Sequence, residues 1–342
     1  MANSSLPVQH VQATRKDVGR YAGVSTAVVS YVVNDVPNKV APATRERVLE
    51  AIAVLGYRPN AAARALKLGS TEMIGLVVQE SSNPYFAKLA REVEDVVDEL
   101  GYAMLLTNSG GVLAKERRHV RNFASRQVDG VLLASTLAEP DLSELDAAGI
   151  PVVLLDRAHP LPGRASVGVD FAEGARTGVA HLVEHGHQVI GLVMGTDSNG
   201  RYDEREVGWL RALREAGLPE GPIVRSDFTR SGGYAAGARM IEMANRPTAI
   251  FVSSDMQAIG VLRALHEAGL SVPEDIAVVS FDGSPESEYS TPGLTTIKQP
   301  VQAMAAAAVK ALLSKDGPRE HQQFPTELVI RRSCGCTPEP GI

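Results

Sequence analysis

Carboxylates, amides, a guanidinium and aromatic rings recur at one kind of place in this 342-residue chain, just after short Val/Ile/Leu runs or at the loop that follows them. Asn83 and Phe86 follow MIGLVV, Asp156 follows PVVLL, and Phe228 follows a short run at Ile223-Val224. Asp255 follows AIFVSS, Asp282 ends AVVSFD, Gln299 lies in TTIKQP, and Arg205 comes just after the loop GTDSNG. Carboxylates and amides hydrogen-bond hydroxyl groups, and ring faces cover the apolar side of a sugar or base. The set therefore reads as a binding site for a small polar molecule. Each member also has a structural reading. Asp255 and Asp282 could cap the next turn, Arg205 could pair on the surface, and Phe86 and Phe228 could sit in the core. Tyr85, beside Phe86, reads as packing.

Two other groups carry chemistry. His181-Leu-Val-Glu184-His185 fits the H-x-x-E-H pattern of one class of zinc proteases. On a helix the two histidines share a face, but no third ligand stands out, so they read as helix surface and loop capping. Cys334 and Cys336 form a C-x-C pair, a weak metal signal and a poor spacing for a mutual disulfide. They read as reduced thiols. There is no G-x-x-x-x-G-K-[ST], no G-x-S-x-G and no strand-borne G-x-G-x-x-G. A nucleotide-using enzyme would need one of these. The expectation is no enzyme, no cofactor and no metal.

The elements that position the strand-end residues alternate. Apolar runs at 73–78, 102–107, 130–134, 151–155, 189–194, 249–252 and 276–281 are separated by amphipathic stretches of helical period. Continuous apolar strands between helices imply parallel sheets covered on both faces, and such sheets bind ligands at the carboxyl ends of their strands. The count gives two doubly wound α/β halves.

Ahead of them lies a different composition. Residues 1–70 carry a net charge of +5, against −11 for the remainder. A basic head on an acidic body suggests that the head meets a polyanion. Thr14 and Ser25 are placed to cap two short helices across the turn AGV, with Val18, Tyr21 and Ala22 facing inward from the first. Thr44 is placed to cap a third. Two short helices across a tight turn are what a helix-turn-helix requires. Next comes RPNAAARALKLG, with Asn60 as cap, good helix formers, and Gly69 as stop. Its large apolar residues are Leu66 and, next to the glycine stop, Leu68, so it has almost nothing with which to build a core. Helices of about ten residues are marginal alone in water.

The order KDVGRYAGVSTAVVSYVVND, TRERVLEAIAVLGYRPNAAARALKLG and then the α/β body closely resembles the lactose-repressor (LacI/GalR) family of bacterial transcription regulators, over nearly the whole chain. The resemblance implies a helix-turn-helix domain at 14–57, a hinge helix or linker at 58–70 and an effector-binding and dimerisation body at 71–333. The body is expected to resemble periplasmic sugar-binding proteins. Its N-subdomain spans about 71–169 plus 294–324 and its C-subdomain about 170–290 plus 325–333, joined by crossings near 169–171, 290–294 and 324–330. Thr26 and Ala27 fall on the base-reading positions and Ser25 and Ser30 on backbone-contacting ones. Tyr31 replaces a usual Arg or His, and Asn34, Arg58, Asn60 and Arg64 complete the DNA-contacting set. Leu66 occupies the wedge position that kinks a minor-groove step. Phe86, Arg205, Phe228, Asp255, Asp282 and Gln299 match effector-contacting positions. The implied protein is a cytoplasmic homodimeric repressor that binds operator DNA under control of a small effector, a carbohydrate, with a nucleobase or nucleoside as the alternative. A free solute-binding protein would keep the cleft and lack the head. The chain ends TPEPGI without a heptad repeat, so no tail-mediated tetramer is expected.

Overall fold

The computed structural model describes residues 13–137, 139–195, 203–314 and 320–336. The GTDSNG loop beyond Gly195 lies outside the described residues, as do Tyr202 and the side chains of Ala61, Ala62 and Lys67. The chain forms two compact units, residues 1–71 and 72–342.

The first unit is helical. In α1 (Arg15–Ala22) Thr14 makes a capping box: its Oγ1 accepts from the Asp17 N–H at 3.4 Å, and Asp17 Oδ2 accepts from the Thr14 N–H at 2.9 Å. Gly23 ends the helix at φ +67°, a backbone region that L side chains avoid, and so makes the turn into α2 (Thr26–Val33) short. Ser25 Oγ caps α2 by accepting from the Val28 N–H at 3.4 Å. The third helix, α3 (Pro42–Leu55), starts earlier than Thr44, the expected cap. Proline lacks the N–H that a first helical residue leaves unsatisfied, so Pro42 after Ala41 opens the helix instead. Val18, Val29, Val32, Val48 and Ala51 form the core. Tyr21 is not part of it. It lies about 100° round the helix from Ala22 and is 55% exposed.

The fourth helix, α4 (Ala61–Leu68), is capped at both ends. Asn60 Oδ1 accepts from the Ala63 N–H at 3.2 Å, and Gly69, at φ +70°, donates its N–H to Ala65 O at 2.8 Å. Its leucines bury little: Leu66 is 87% exposed and Leu68 is exposed too.

The second unit holds two sheets of six strands each. Its elements run β1 (Met73–Val78), α5 (Pro84–Glu99), β2 (Ala103–Asn108), α6 (Leu113–Arg126), β3 (Gly130–Leu133), α7 (Ser143–Ala147), β4 (Val152–Leu154) and β5 (Ala165–Val169). The chain continues through α8 (Phe171–Glu184), β6 (Ile190–Gly195), α9 (Glu204–Glu215), β7 (Ile223–Ser226), α10 (Arg230–Ile241), β8 (Ala249–Val252), α11 (Asp255–Glu267), β9 (Ala277–Asp282) and α12 (Pro285–Tyr289). It closes with β10 (Thr295–Lys298), α13 (Val301–Leu312), β11 (His321–Phe324) and β12 (Glu327–Val329). One sheet is ordered β11-β5-β4-β3-β1-β2 and the other β12-β10-β9-β8-β6-β7. All pairs are parallel except β10–β12.

The chain passes between sheets at Asp170 and at residues 325–326, within two of the expected crossings. The remaining one is displaced. Thr295 does not join the first half: β10 pairs with β9, Thr296 opposite Ser280, and the crossing lies at Gln299–Pro300. Thr295, Thr296 and Ile297 are buried, as an interior strand requires, and Pro300, with no N–H to donate, ends the ladder. Only then does α13 cross back, to pack on α5, β3, β4 and β5.

Candidate functional site

Between the carboxyl ends of the two sheets lies a group of charges held inside aromatic walls. Arg205, early in α9, is at its centre. Its Nε and Nη2 donate to Asp203 Oδ1 and Oδ2 at 2.9 and 2.8 Å, and its Nη1 donates to Ser253 O at 2.8 Å. The guanidinium lies 5.4, 5.3 and 5.7 Å from the ring centres of Phe171, Phe228 and Phe281. Burial works against its charge, but Asp203, Asp282 and Asp156 outweigh that and hold it above the ordinary guanidinium range. Across from it the Tyr85 hydroxyl donates to Asp156 Oδ1 at 3.0 Å. Burial, and then the charges of Asp156 and Asp282, push the Tyr85 phenol well up. Asp156 is also raised, by burial first, with Arg205 opposing.

Asp282 stands beside this group. It is buried, sits at φ +118°, accepts from Gln299 Nε2 at 3.2 Å, and is pushed well above the usual carboxylate range by burial and by nearby Asp255. Strained backbone of this kind is retained where surrounding structure overdetermines it, often at ligand sites. Gln299 Oε1 is buried and has no hydrogen-bond partner among the described residues.

Not every expected residue reaches this group in the same way. The Asp255 carboxylate is engaged by the protein itself: it accepts from Ser280 Oγ at 2.5 Å, Thr296 Oγ1 at 2.7 Å and the Ser284 N–H at 2.6 Å. Such a group holds β9, β10 and the loop after β9 in place. Asn83 Oδ1 caps α5 by accepting from the Tyr85 N–H at 3.0 Å. Phe86 is buried in the core, with its ring edge-on to Tyr85. Conversely Tyr85, read as packing, brings a hydroxyl to Asp156, and Asp203, Phe171 and Phe281 were not singled out at all.

In the first unit, Ser25, Thr26, Ala27 and Tyr31 lie exposed on or beside α2, and Tyr31 is 39% exposed rather than packed in the core. Asn34 and Ser30 are tied to each other: Asn34 Nδ2 donates to Ser30 O at 2.8 Å and to Ser30 Oγ at 3.1 Å. Arg58, Asn60, Arg64 and Leu66 are exposed at and around α4.

The histidines and cysteines need a correction. They are neither separate surface histidines nor isolated thiols: the fold brings His181 and His185 to Cys334 and Cys336. Burial pushes the Cys334 thiol up, but hydrogen bonds from His181 and Thr295 outweigh it and bring it down to about 7.

Residues 14–60 match the bacterial regulatory proteins of the lacI family, and residues 179–334 match the periplasmic binding protein-like domain. The chain is 36% identical over 329 residues to the HTH-type transcriptional repressor PurR of Aliivibrio salmonicida, covering 94% of this chain and 98% of that one. The chain belongs to the lacI family. It is a DNA-binding transcriptional regulator with a helix-turn-helix head and an α/β body of the effector-binding kind. The Lac repressor dimer bound to operator and the anti-inducer ONPF matches with a TM-score of 0.82 at 30% identity, covering 94% of this chain and 99% of that chain. The transcriptional regulator CelR–cellobiose complex matches with a TM-score of 0.69 at 31% identity, over 94% and 99%. Among the described residues no helix is long and apolar enough to cross a membrane.

The raised Asp282 has a consequence for stability. Above the ordinary value of 3.8 the unfolded chain ionises this carboxyl more readily than the folded one, so the group costs stability as pH rises toward its folded value. Asp282→Asn removes that cost and keeps an oxygen for Gln299. The variant should match the wild type near pH ~4 and exceed it by on the order of 1 kcal/mol near pH ~7. Urea unfolding followed by circular dichroism across that range is the check. A variant less stable throughout would contradict the assignment.

Proposed function

We propose that this lacI-family regulator is a cytoplasmic homodimeric repressor. It binds an operator of approximate two-fold symmetry, and its affinity is set by a carbohydrate in the cleft of the body. The observation that carries the reading is Leu66, 87% exposed on a short helix capped at both ends. A large apolar side chain held out on a basic, core-less helix suits insertion into a minor-groove step. Unstacking a step costs a few kcal/mol and is offset by the contacts that the bent duplex allows. Thr26 and Ala27 would then read bases through hydroxyl and methyl contacts, with Tyr31 beside them, while Ser25, Ser30, Asn34, Arg58, Asn60 and Arg64 hold the backbone. The Lac repressor neighbour, a dimer on its operator, supports the same assembly. So do Leu106, Val112 and Leu113, exposed apolar side chains on β2 and at the start of α6 that a second copy would cover.

In the body, Asp156, Arg205, Asp282, Gln299 and the Tyr85 hydroxyl supply donors and acceptors. Phe171, Phe228 and Phe281 supply ring faces, Asn83 and Phe86 support the wall that carries Tyr85, and Asp255 positions the Asp282 loop. Alternating carboxylates and rings suit a polyol with an apolar face. The CelR–cellobiose neighbour supports that class. No turnover of the ligand is proposed. An effector that prefers one arrangement of the body can shift operator affinity only by its differential affinity for the two arrangements.

Two measurements test this. Leu66→Ala should weaken operator binding at least ~10-fold while leaving binding to random DNA within about twofold, by titration at fixed salt. An equal loss on both would remove the wedge. A thermal-shift screen of mono- and disaccharides alongside purine and pyrimidine bases should raise the melting temperature with a sugar. A shift with bases alone would overturn the carbohydrate class.

A further inference from the structure

His181 and His185 stand one helical turn apart on α8, their rings edge to face with centres 4.7 Å apart. The segment after β12 brings two sulfurs to them. Ser333 anchors that segment: the Val278 N–H donates to Ser333 O at 2.8 Å, Ser333 Oγ donates to Val278 O at 2.6 Å, and the Thr295 N–H donates to Ser333 Oγ at 2.8 Å. Gly335, at φ +96°, then turns the chain so that the cysteines on either side of it both reach α8. A side chain there would adopt a strained backbone.

The four ligand atoms converge. His181 Nε2 is 3.2 Å from Cys334 Sγ and 3.6 Å from Cys336 Sγ, and His185 Nε2 is 3.2 Å from Cys336 Sγ. All four atoms lie within 4.8 Å of one another. Bond lengths of about 2.3 Å to sulfur and 2.0 Å to nitrogen in a tetrahedron place ligand atoms roughly 3.3–3.8 Å apart. Two independent S–H···N bonds would not need His181 Nε2 to face both sulfurs. Thr295 Oγ1 donates to Cys334 Sγ at 3.1 Å, the kind of supporting bond that steadies a thiolate ligand.

We propose that His181, His185, Cys334 and Cys336 bind one divalent metal ion of the zinc type. Two thiolates and two imidazoles select such an ion over hard cations, which prefer oxygen. On binding, each thiol gives its proton to solvent and both sulfurs coordinate as thiolates. Four protein ligands leave no open position, so the ion is structural and does no chemistry on a substrate. The place agrees. α8 begins at Phe171, against Arg205, and the histidines lie ten and more residues along, about 15 Å from the cleft. The ion ties the segment after β12 to α8, away from the effector.

The test uses the full-length protein, purified with reductant, stripped with a chelator and titrated with Co2+. One equivalent per chain should give a sulfur-to-cobalt charge-transfer band and the strong visible absorption of a tetrahedral site, and Zn2+ should displace it. Cys336→Ser and His185→Gln, made at the more exposed members of the set, should each lose the band while circular dichroism stays native. Zn2+ should raise the melting temperature of the stripped wild type and not that of the variants. Absence of stoichiometric binding would overturn the proposal. So would a band that survives both substitutions, or a Cys334–Cys336 disulfide in the reduced preparation.

Discussion

An eight-residue helix that has caps but no core is the constraint on which the proposed switch turns. Nucleating a helix fixes several dihedrals for each bond gained, so short helices depend on an apolar face that something else covers. In α4 the ends are well made, by Asn60 and Gly69, and the middle offers Leu66 to solvent. Its geometry is encoded locally, and in the proposed switch its stabilisation comes from outside. A duplex step and a twin helix are surfaces that can supply it. In the proposed switch, a modest bias from the body decides whether the helix is held.

The cleft is built on the opposite plan. There the chain spends strain and desolvation in advance. Arg205 is enclosed by three phenylalanine rings, Asp282 occupies an unfavourable backbone region, and two carboxylates are raised by burial. Asp156 and Tyr85 come from the first half of the body, Arg205 and Asp282 from the second, and Gln299 from a crossing between them. A ligand that donates to these groups therefore acts on both halves at once. On the proposed function, this lets a small molecule favour one arrangement of the body over another.

Much of this was legible in the sequence where the signal is local. The caps at Thr14, Ser25 and Asn60, the glycine stops and the apolar strands all follow from residues within a few positions of each other. The strand-end rule singles out Asp156, Arg205, Phe228, Asp282 and Gln299, which the fold brings into one group. What escaped depends on partners distant in the chain. Asp255 reads as a strand-end carboxylate, and its bonds to Ser280, Thr296 and Ser284 come from residues 25 to 41 positions away. Tyr85 reads as packing until Asp156 is placed opposite. β5, made largely of small residues, carries little apolar signal, and the crossing at Gln299–Pro300 is decided by the pairing of β10 with β9. The His/Cys cluster joins residues more than 150 positions apart, which no local pattern reports.

The most direct test of the central claim is hydrogen exchange at the amides of residues 61–68, measured in the free protein, with operator, and with operator plus effector. Protection should be slight in the free chain, strong on operator, and altered on operator by the effector. Equal protection in all three states would contradict it, because the helix would then have nothing left to gain from the duplex and nothing for the cleft to control.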